Sequence, residues 1–440
     1  MTNLLVLDSF NSLPLVLYGL LWLATLILAP KQDLTGNRIS RWLMVLVGTA
    51  LVYTANHLAL YALGWVLSAW PLIEDARLGR LTRTLMVLGG VALAAALGLI
   101  IEHGSSAGAA DPWLLSSLSA TGWAGGQLPF ALLTLAVIQR KGIFPLQSWV
   151  PQAMERGDLL ITGLVLNGHF GAVTVARVAL PLLGDASRAS LTVLSELGLF
   201  TAVLGAVVAV ADRQPRRLLA WVAISQASTI LAGLESLNQQ AITGAMLHWM
   251  VVSIATSALF AVLRLVEVRH GLAITGTEYL GLGRRFPRLA VFFVVAGVAL
   301  VGLPGTLGFI SEDLLMHGAL ESHPWIGLAI PVATALNAIG IFRLFGIIFL
   351  GRRLAPTMIV PDAVTRERWP LAALIMLLVV LGLVPQMAIN LRSAAAVKLE
   401  RIENPAAPSG EAQSGEAPSG EAQPGEAQPG EAPAGAAQSH

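Results

Sequence analysis

Apolar residues fall in long runs separated by short polar connections, near residues 13–29, 42–55, 57–73, 84–101, 126–141, 159–183, 191–211, 218–234, 241–265, 289–311, 325–350 and 370–391. They approach or reach the roughly 17–25 residues that an α-helix needs to cross a bilayer core. The pattern predicts an all-α, polytopic integral membrane protein of about twelve transmembrane helices.

Two of the runs are interrupted in the same way. One reads Gln139-Arg140-Lys141-Gly-Ile-Phe-Pro145 and the other Gly302-Leu-Pro304-Gly305-Thr-Leu-Gly-Phe309-Ile-Ser-Glu312-Asp313. Proline removes a backbone donor and breaks a helix, so Pro145, Pro304 and Gly305 mark two broken helices inside the membrane. Each broken run is fourth in a set of five, over about 42–183 and 191–350. Because five is odd, two such units in tandem have opposite orientations. Broken helices at matching positions of inverted repeats point to an ion or substrate path.

Composition agrees with the pattern. Of the 440 residues, 55% are hydrophobic and 12% charged, against roughly 45–50% and about 25% in soluble domains. Mean hydropathy is +0.72. A soluble enzyme is excluded. So is a nucleic-acid binder, since net charge is +1 and no basic block faces a phosphate backbone. With no cysteine, disulfides, iron–sulfur clusters and thiolate metal sites are excluded. No glycine-rich phosphate loop or metal-ligand cluster stands out, and no metal or cofactor is expected on this chain.

Charge also orients the chain. Connections after odd-numbered runs hold nearly all the loop cations, from Lys31, Arg38 and Arg41 to Arg366 and Arg368, whereas those after even-numbered runs offer Arg188 alone. The positive-inside rule makes the former cytoplasmic and puts both termini outside. Arg392, Lys398 and Arg401 run against this scheme. No Lys or Arg precedes the first run, so the charged n-region of a cleaved signal peptide is lacking. The transmembrane domain spans 1–403. From Gly410 a Gly-Glu-Ala-(Gln/Pro) unit repeats with Glu411, Glu416, Glu421, Glu426 and Glu431, and 404–440 reads as a disordered tail.

Ionisable side chains within the runs are costly, at roughly 2.5–3.5 kcal/mol each on insertion scales, and therefore mark function by default. They are Arg140 and Lys141 at the first break, His169 and Arg177 in the sixth run, His248 in the ninth, Glu312 and Asp313 at the second break, and Arg343 in the eleventh. Histidine changes charge between pH 5 and 8 and a buried glutamate is raised towards that range, so these groups suit a proton relay near the midplane. Plainer readings stand beside this one. Arg140 and Lys141 mark the end of a helix, His169 and His248 bond neighbouring helices, Glu312 and Asp313 form a loop pair, and Arg177 and Arg343 anchor structure.

At these residues, over about 8–401, the chain resembles the antiporter-like membrane subunits of respiratory complex I, Mrp cation/proton antiporters and membrane-bound hydrogenases. Pro145-Leu-Gln-Ser-Trp149-Val-Pro151-Gln-Ala-Met154 is similar to the family's Pro-Phe-His-x-Trp-Leu-Pro-x-Ala segment. Asp212-Arg-Gln-Pro-Arg216-Arg217-Leu-Leu-Ala220-Trp-Val-Ala-Ile-Ser225-Gln226 resembles its Asp-x-Lys-Arg-x-Leu-Ala-Tyr-Ser-x-x-Ser-Gln. Gly302-Leu-Pro304-Gly305-Thr306-Leu-Gly-Phe309-Ile-Ser-Glu312 and Gly382-Leu-Val-Pro385-Gln386 look M-type.

The resemblance implies a proton-translocating subunit of a redox-coupled, NADH:quinone oxidoreductase-like complex, with no redox centre of its own. Its partners would be other membrane subunits, the lipid bilayer of the inner membrane and a soluble dehydrogenase-like subunit. It also implies relay roles for Arg140 or Lys141 at the broken-helix lysine position, His169 at the next-helix lysine, His248 at a central histidine and Glu312 at the terminal position. The second histidine position is Val252, and the family's first two helices have no counterpart here. Gly64-Trp65-Val66 departs from the family's Gly-Trp-Glu, so the glutamate partner of the broken-helix lysine is absent. The Trp-Val form also resembles the membrane subunit of two-component inorganic-carbon uptake (DAB) complexes, which serve a soluble carbonic-anhydrase-like partner. A third reading is a structural, non-conducting subunit.

Overall fold

The computed structural model describes residues 4–403 except 124, 237, 272–273 and 352–360, with the backbone alone over 183–188 and 402–403. The 404–440 tail therefore lies outside the described residues. Among those residues there is no strand beyond two isolated bridges, Leu5 with Ala55 and His57 with Leu114.

In chain order the helices are α1 (Ser12–Leu28), α2 (Gly36–Thr54), α3 (Leu58–Ile73), α4 (Arg80–Ser106), α5 (Leu115–Thr121), α6 (Leu128–Lys141), α7 (Trp149–Arg156), α8 (Leu159–Asn167), α9 (Phe170–Thr174), α10 (Leu180–Ala211), α11 (Pro215–Ser228), α12 (Ile230–Glu235), α13 (Gln239–His270), α14 (Pro287–Leu300), α15 (Leu307–Ala319), α16 (Ile326–Phe349), α17 (Thr365–Leu383) and α18 (Pro385–Glu403). Among the described residues, six stretches are long and apolar enough to cross a membrane: Arg80–Ser106, Leu159–Leu182, Ala189–Ala211, Pro215–Glu235, Gln239–His270 and Ile326–Phe349. α1, α3 and α14 are shorter but apolar.

Local chemistry sets several of the ends. Asp158 accepts from the backbone N–H groups of Leu160 and Ile161 at the start of α8, and Asn238 does the same for Gln240 and Ala241 at α13, satisfying donors a helix start leaves open. α6 stops at Gly142, whose left-handed φ of 71° costs glycine no side-chain clash.

α13 is buried along nearly its whole length and forms the axis against which α1, α8, α11, α14, α15, α17 and α18 pack. α4 and α16 lie at the periphery. Their outward leucines, valines and isoleucines, such as Val87, Leu88, Val91, Leu328 and Ile339, stay exposed in the isolated chain, as a membrane-facing surface requires.

The sixth and last runs are interrupted where the pattern predicted single spans. The sixth breaks at Gly168–His169 and carries a π-helical turn over Val175–Ala179. The last ends with α17 at Leu383, and α18 turns away by 91°. α18 buries Ala388, Arg392, Ala395, Ala396 and Leu399 on one face, the stripe of an amphipathic helix. Two of the charges that run against the orientation scheme lie on this helix. Arg392 is buried and donates to the Phe10 carbonyl, and Lys398 pairs with Asp8 at 3.0 Å.

Candidate functional site

The first break supplies two adjacent cations that part company. Lys141, the last residue of α6, is buried, and its Nζ lies 3.4 Å from His169 Nδ1. Among the described residues no carboxylate pairs with it. Arg140 turns to another face of the helix. It donates to Ser68 Oγ at 2.6 Å and reaches Met86 Sδ, while its guanidinium lies 4.7 Å from the Phe170 ring centroid and 5.6 Å from that of Trp65. Aromatic faces thus receive the charge, a contact worth about 2 kcal/mol when desolvated. Val66, the departure from the family pattern, is 43% exposed on the outer side of α3.

The broken backbone is repaired from outside the helix. Trp149 Nε1 donates to the Gln139 carbonyl at 2.7 Å, and the Phe144 N–H donates to Thr201 Oγ1 at 3.0 Å, just before a cis Phe144–Pro145 bond. Backbone groups freed inside a membrane need such partners.

His169 holds a left-handed backbone at φ 43°, alone among the described non-glycine residues. Such conformations cost of order 1–3 kcal/mol and cluster at functional positions. Its ring packs on Trp249 at 5.4 Å, and Nε2 is buried without a hydrogen-bond partner.

His248, on α13, sits between two acceptors of different kind. Nε2 lies 3.1 Å from the Gln226 carbonyl, which can only accept, so Nε2 carries a proton. Nδ1 lies 3.2 Å from Ser311 Oγ, and that hydroxyl also reaches the Gly308 carbonyl at 2.8 Å. With neutral His248 the hydroxyl donates to Nδ1. With the imidazolium it turns to Gly308 and accepts instead. Rotation of one hydroxyl accommodates both charge states.

Glu312 follows Ser311 on α15, beyond Pro304 and Gly305, whose φ of 87° again requires glycine. Its carboxylate accepts from Thr334 Oγ1 at 3.1 Å, and the Gln226 side chain is within hydrogen-bond reach. Gln226 thus bonds His248 through its carbonyl, while its side chain lies beside Glu312. Asp313 faces out and pairs with His317.

The two membrane arginines cap helices. Arg177 NH1 donates to the Val52 and Tyr53 carbonyls at the end of α2, and Arg343 NH2 donates to the Ala209 and Asp212 carbonyls at the end of α10. Sequence reasoning had no signal for Ser311, Thr334 or Trp249. Gln226 was visible only inside the Ser225-Gln226 motif.

An all-helical membrane protein with buried titratable groups at helix breaks is the class these features define. The model of the family described as NADH:quinone oxidoreductase/Mrp antiporter, TM matches residues 76–337, and the chain belongs to that family. It is 30% identical over 277 residues to NADH-quinone oxidoreductase subunit N of Rhodococcus opacus, covering 61% of this chain and 50% of the relative. It is 28% identical over 254 residues to subunit M of Rickettsia bellii, covering 56% and 51%. The matched segment spans about half the length of these curated relatives. Among solved structures, a chain of respiratory complex I from Thermus thermophilus with bound NADH superposes with TM-score 0.78 at 22% identity, covering 90% of this chain and 85% of the other. A chain of the Mrp complex from Dietzia gives TM-score 0.77 at 20% identity, covering 91% and 85%. These two likenesses establish the fold.

Proposed function

We propose that this chain is the proton-translocating, antiporter-like membrane subunit of a larger redox-coupled complex in the inner membrane. The carrying observation is the buried sequence Lys141–His169, His248 and Glu312, the last two joined through Gln226 and Ser311. Lys141 and His169 pass the proton towards the centre, His248 bridges the two halves, and Glu312 serves the exit half. Water would link the groups that do not touch. Arg140 acts as a fixed charge, because its contacts lie away from His169. The redox chemistry belongs to partner subunits.

The finer architecture belongs to this reading. About twelve spans arise when the broken and short helices are counted, with inverted repeats near 42–183 and 191–350 and both termini on the outer face. The equivalent capping by Arg177 and Arg343, each in the last helix of a repeat and each closing the first, supports that symmetry.

The test is proton flux through the intact complex in liposomes. Glu312→Gln and His248→Ala should each stop it, and unchanged flux in both would overturn the relay. Val66, and the lack of a carboxylate on Arg140 among the described residues, favour a second reading as the membrane subunit of an inorganic-carbon uptake complex. Gentle purification from native membranes separates the two. Quinone-reducing or antiporter-like companions support the first, and a large soluble zinc protein supports the second.

A further inference from the structure

A second titratable cluster lies outside the relay and outside every motif. His323, in the connection from α15 to α16, is buried, with its side chain 1% exposed. Its Nδ1 lies 2.9 Å from Glu196 Oε1 on α10, and its Nε2 lies 2.7 Å from Glu235 Oε2 at the end of α12. Both partners are carboxylates, so a ring satisfied on both sides donates from both nitrogens and is an imidazolium. The two carboxylates differ in access: Glu235 is 13% exposed and Glu196 42%. Thr192 Oγ1 donates to the other Glu235 oxygen at 2.8 Å, and Ser322 Oγ donates to the Ser236 carbonyl at 3.1 Å, holding the loop in place.

The cluster stands at the end of a helical column that begins at the relay. Gln226, whose carbonyl bonds His248, is nine residues before Glu235 along α11 and α12, about 13 Å at helical rise. Of the three, Glu196 opens outward, while the ring and Glu235 lie inside.

We propose that Glu235, His323 and Glu196 form a proton-exchange site through which the relay meets bulk water. The site rests on the relay reading above. The imidazolium yields its Nδ1 proton to Glu196, whose exposed oxygen passes it to water, and the cluster goes from a charge of −1 to −2. A flip of the neutral ring then turns the vacant Nδ1 to Glu235, which supplies a proton there, and the Nε2–H now facing Glu196 restores the ion-paired state. Burial pulls the imidazole down, and the hydrogen bonds and charges of Glu235 and Glu196 outweigh it, so His323 sits above the usual histidine range. Among the described residues, the charged groups facing the ring are those two glutamates. Glu321, in the same loop, is exposed.

The experiment uses the complex purified from native membranes, reconstituted in liposomes, with flux read by an internal pH-sensitive dye. His323→Ala should lower flux at least about tenfold, the loss expected of a positioned proton-transfer group. Imidazole added on the side this cluster faces should restore it. Glu196→Gln should slow flux and shift its dependence on the pH of that compartment. An assembled His323→Ala complex with normal flux would overturn the site. So would flux lost without imidazole rescue and with an unchanged pH profile, which is the mark of a structural clip. If His323→Ala fails to assemble, Glu196→Gln decides by the same criteria. Glu312→Gln, measured alongside, separates the two ideas: its normal flux removes the relay, whereas its loss beside normal flux in the cluster variants removes only the exchange site.

Discussion

Lys141 and His169 meet at 3.4 Å from two different helix breaks, one at the end of α6 and the other at the left-handed turn between α8 and α9. Neither contact nor break would survive straightening of either helix. Lys141→Met should therefore abolish proton flux, by at least about tenfold, while Arg140→Lys retains most of it. Liposome flux assays on the two variants check this, and equal loss in both would assign the role to the pair instead of to Lys141.

Ser311 is the hydroxyl that follows the charge of His248. Ser311→Ala leaves Nδ1 of the neutral ring without a donor, at about 1–3 kcal/mol for an unsatisfied buried group. The complex should assemble, and flux should fall with a displaced pH profile. An unchanged profile would mean that His248 keeps one protonation state.

Arg177 and Arg343 close the ends of α2 and α10. Removing a charged donor from such carbonyls costs about 1.5–3 kcal/mol. Arg177→Ala and Arg343→Ala should lower Tm in detergent by similar amounts. A large drop in one and none in the other would argue against equivalent places in two repeats.

His323 also predicts a pH dependence of stability. Its folded pKa is raised above the ordinary 6.5, so the ion-paired clip stabilises fully below that value and loses its contribution as pH rises through the folded value. Tm should fall over that window in the parent chain and vary less in His323→Gln. Parallel Tm curves for the two would show that the imidazolium adds no stability.

Much of the architecture was legible from pattern alone. Runs of hydrophobic residues announce helices because backbone polar groups in a bilayer must be satisfied within the segment, and α1 to α4, α13 and α16 lie where the runs put them. The breaks at Pro145 and Pro304 were legible too, since proline cannot donate. The break at His169 was not. No proline lies there, and a left-handed histidine is held by its surroundings instead of by its own propensity.

The sequence by itself determined that this is a helical membrane protein, where its cations and acids fall, and that helices break at Pro145 and Pro304. The tertiary structure decided which of those charges meet. Arg140 and Lys141 are neighbours in the chain, yet successive residues of a helix point about 100° apart, so one faces Ser68 and two aromatic rings and the other faces His169. His323, Glu196 and Glu235 are far apart in sequence and share no motif. Only the packing of α10 and α12 beneath one loop brings them together, because contacts between distant segments depend on how helices pack and not on any local pattern of residues.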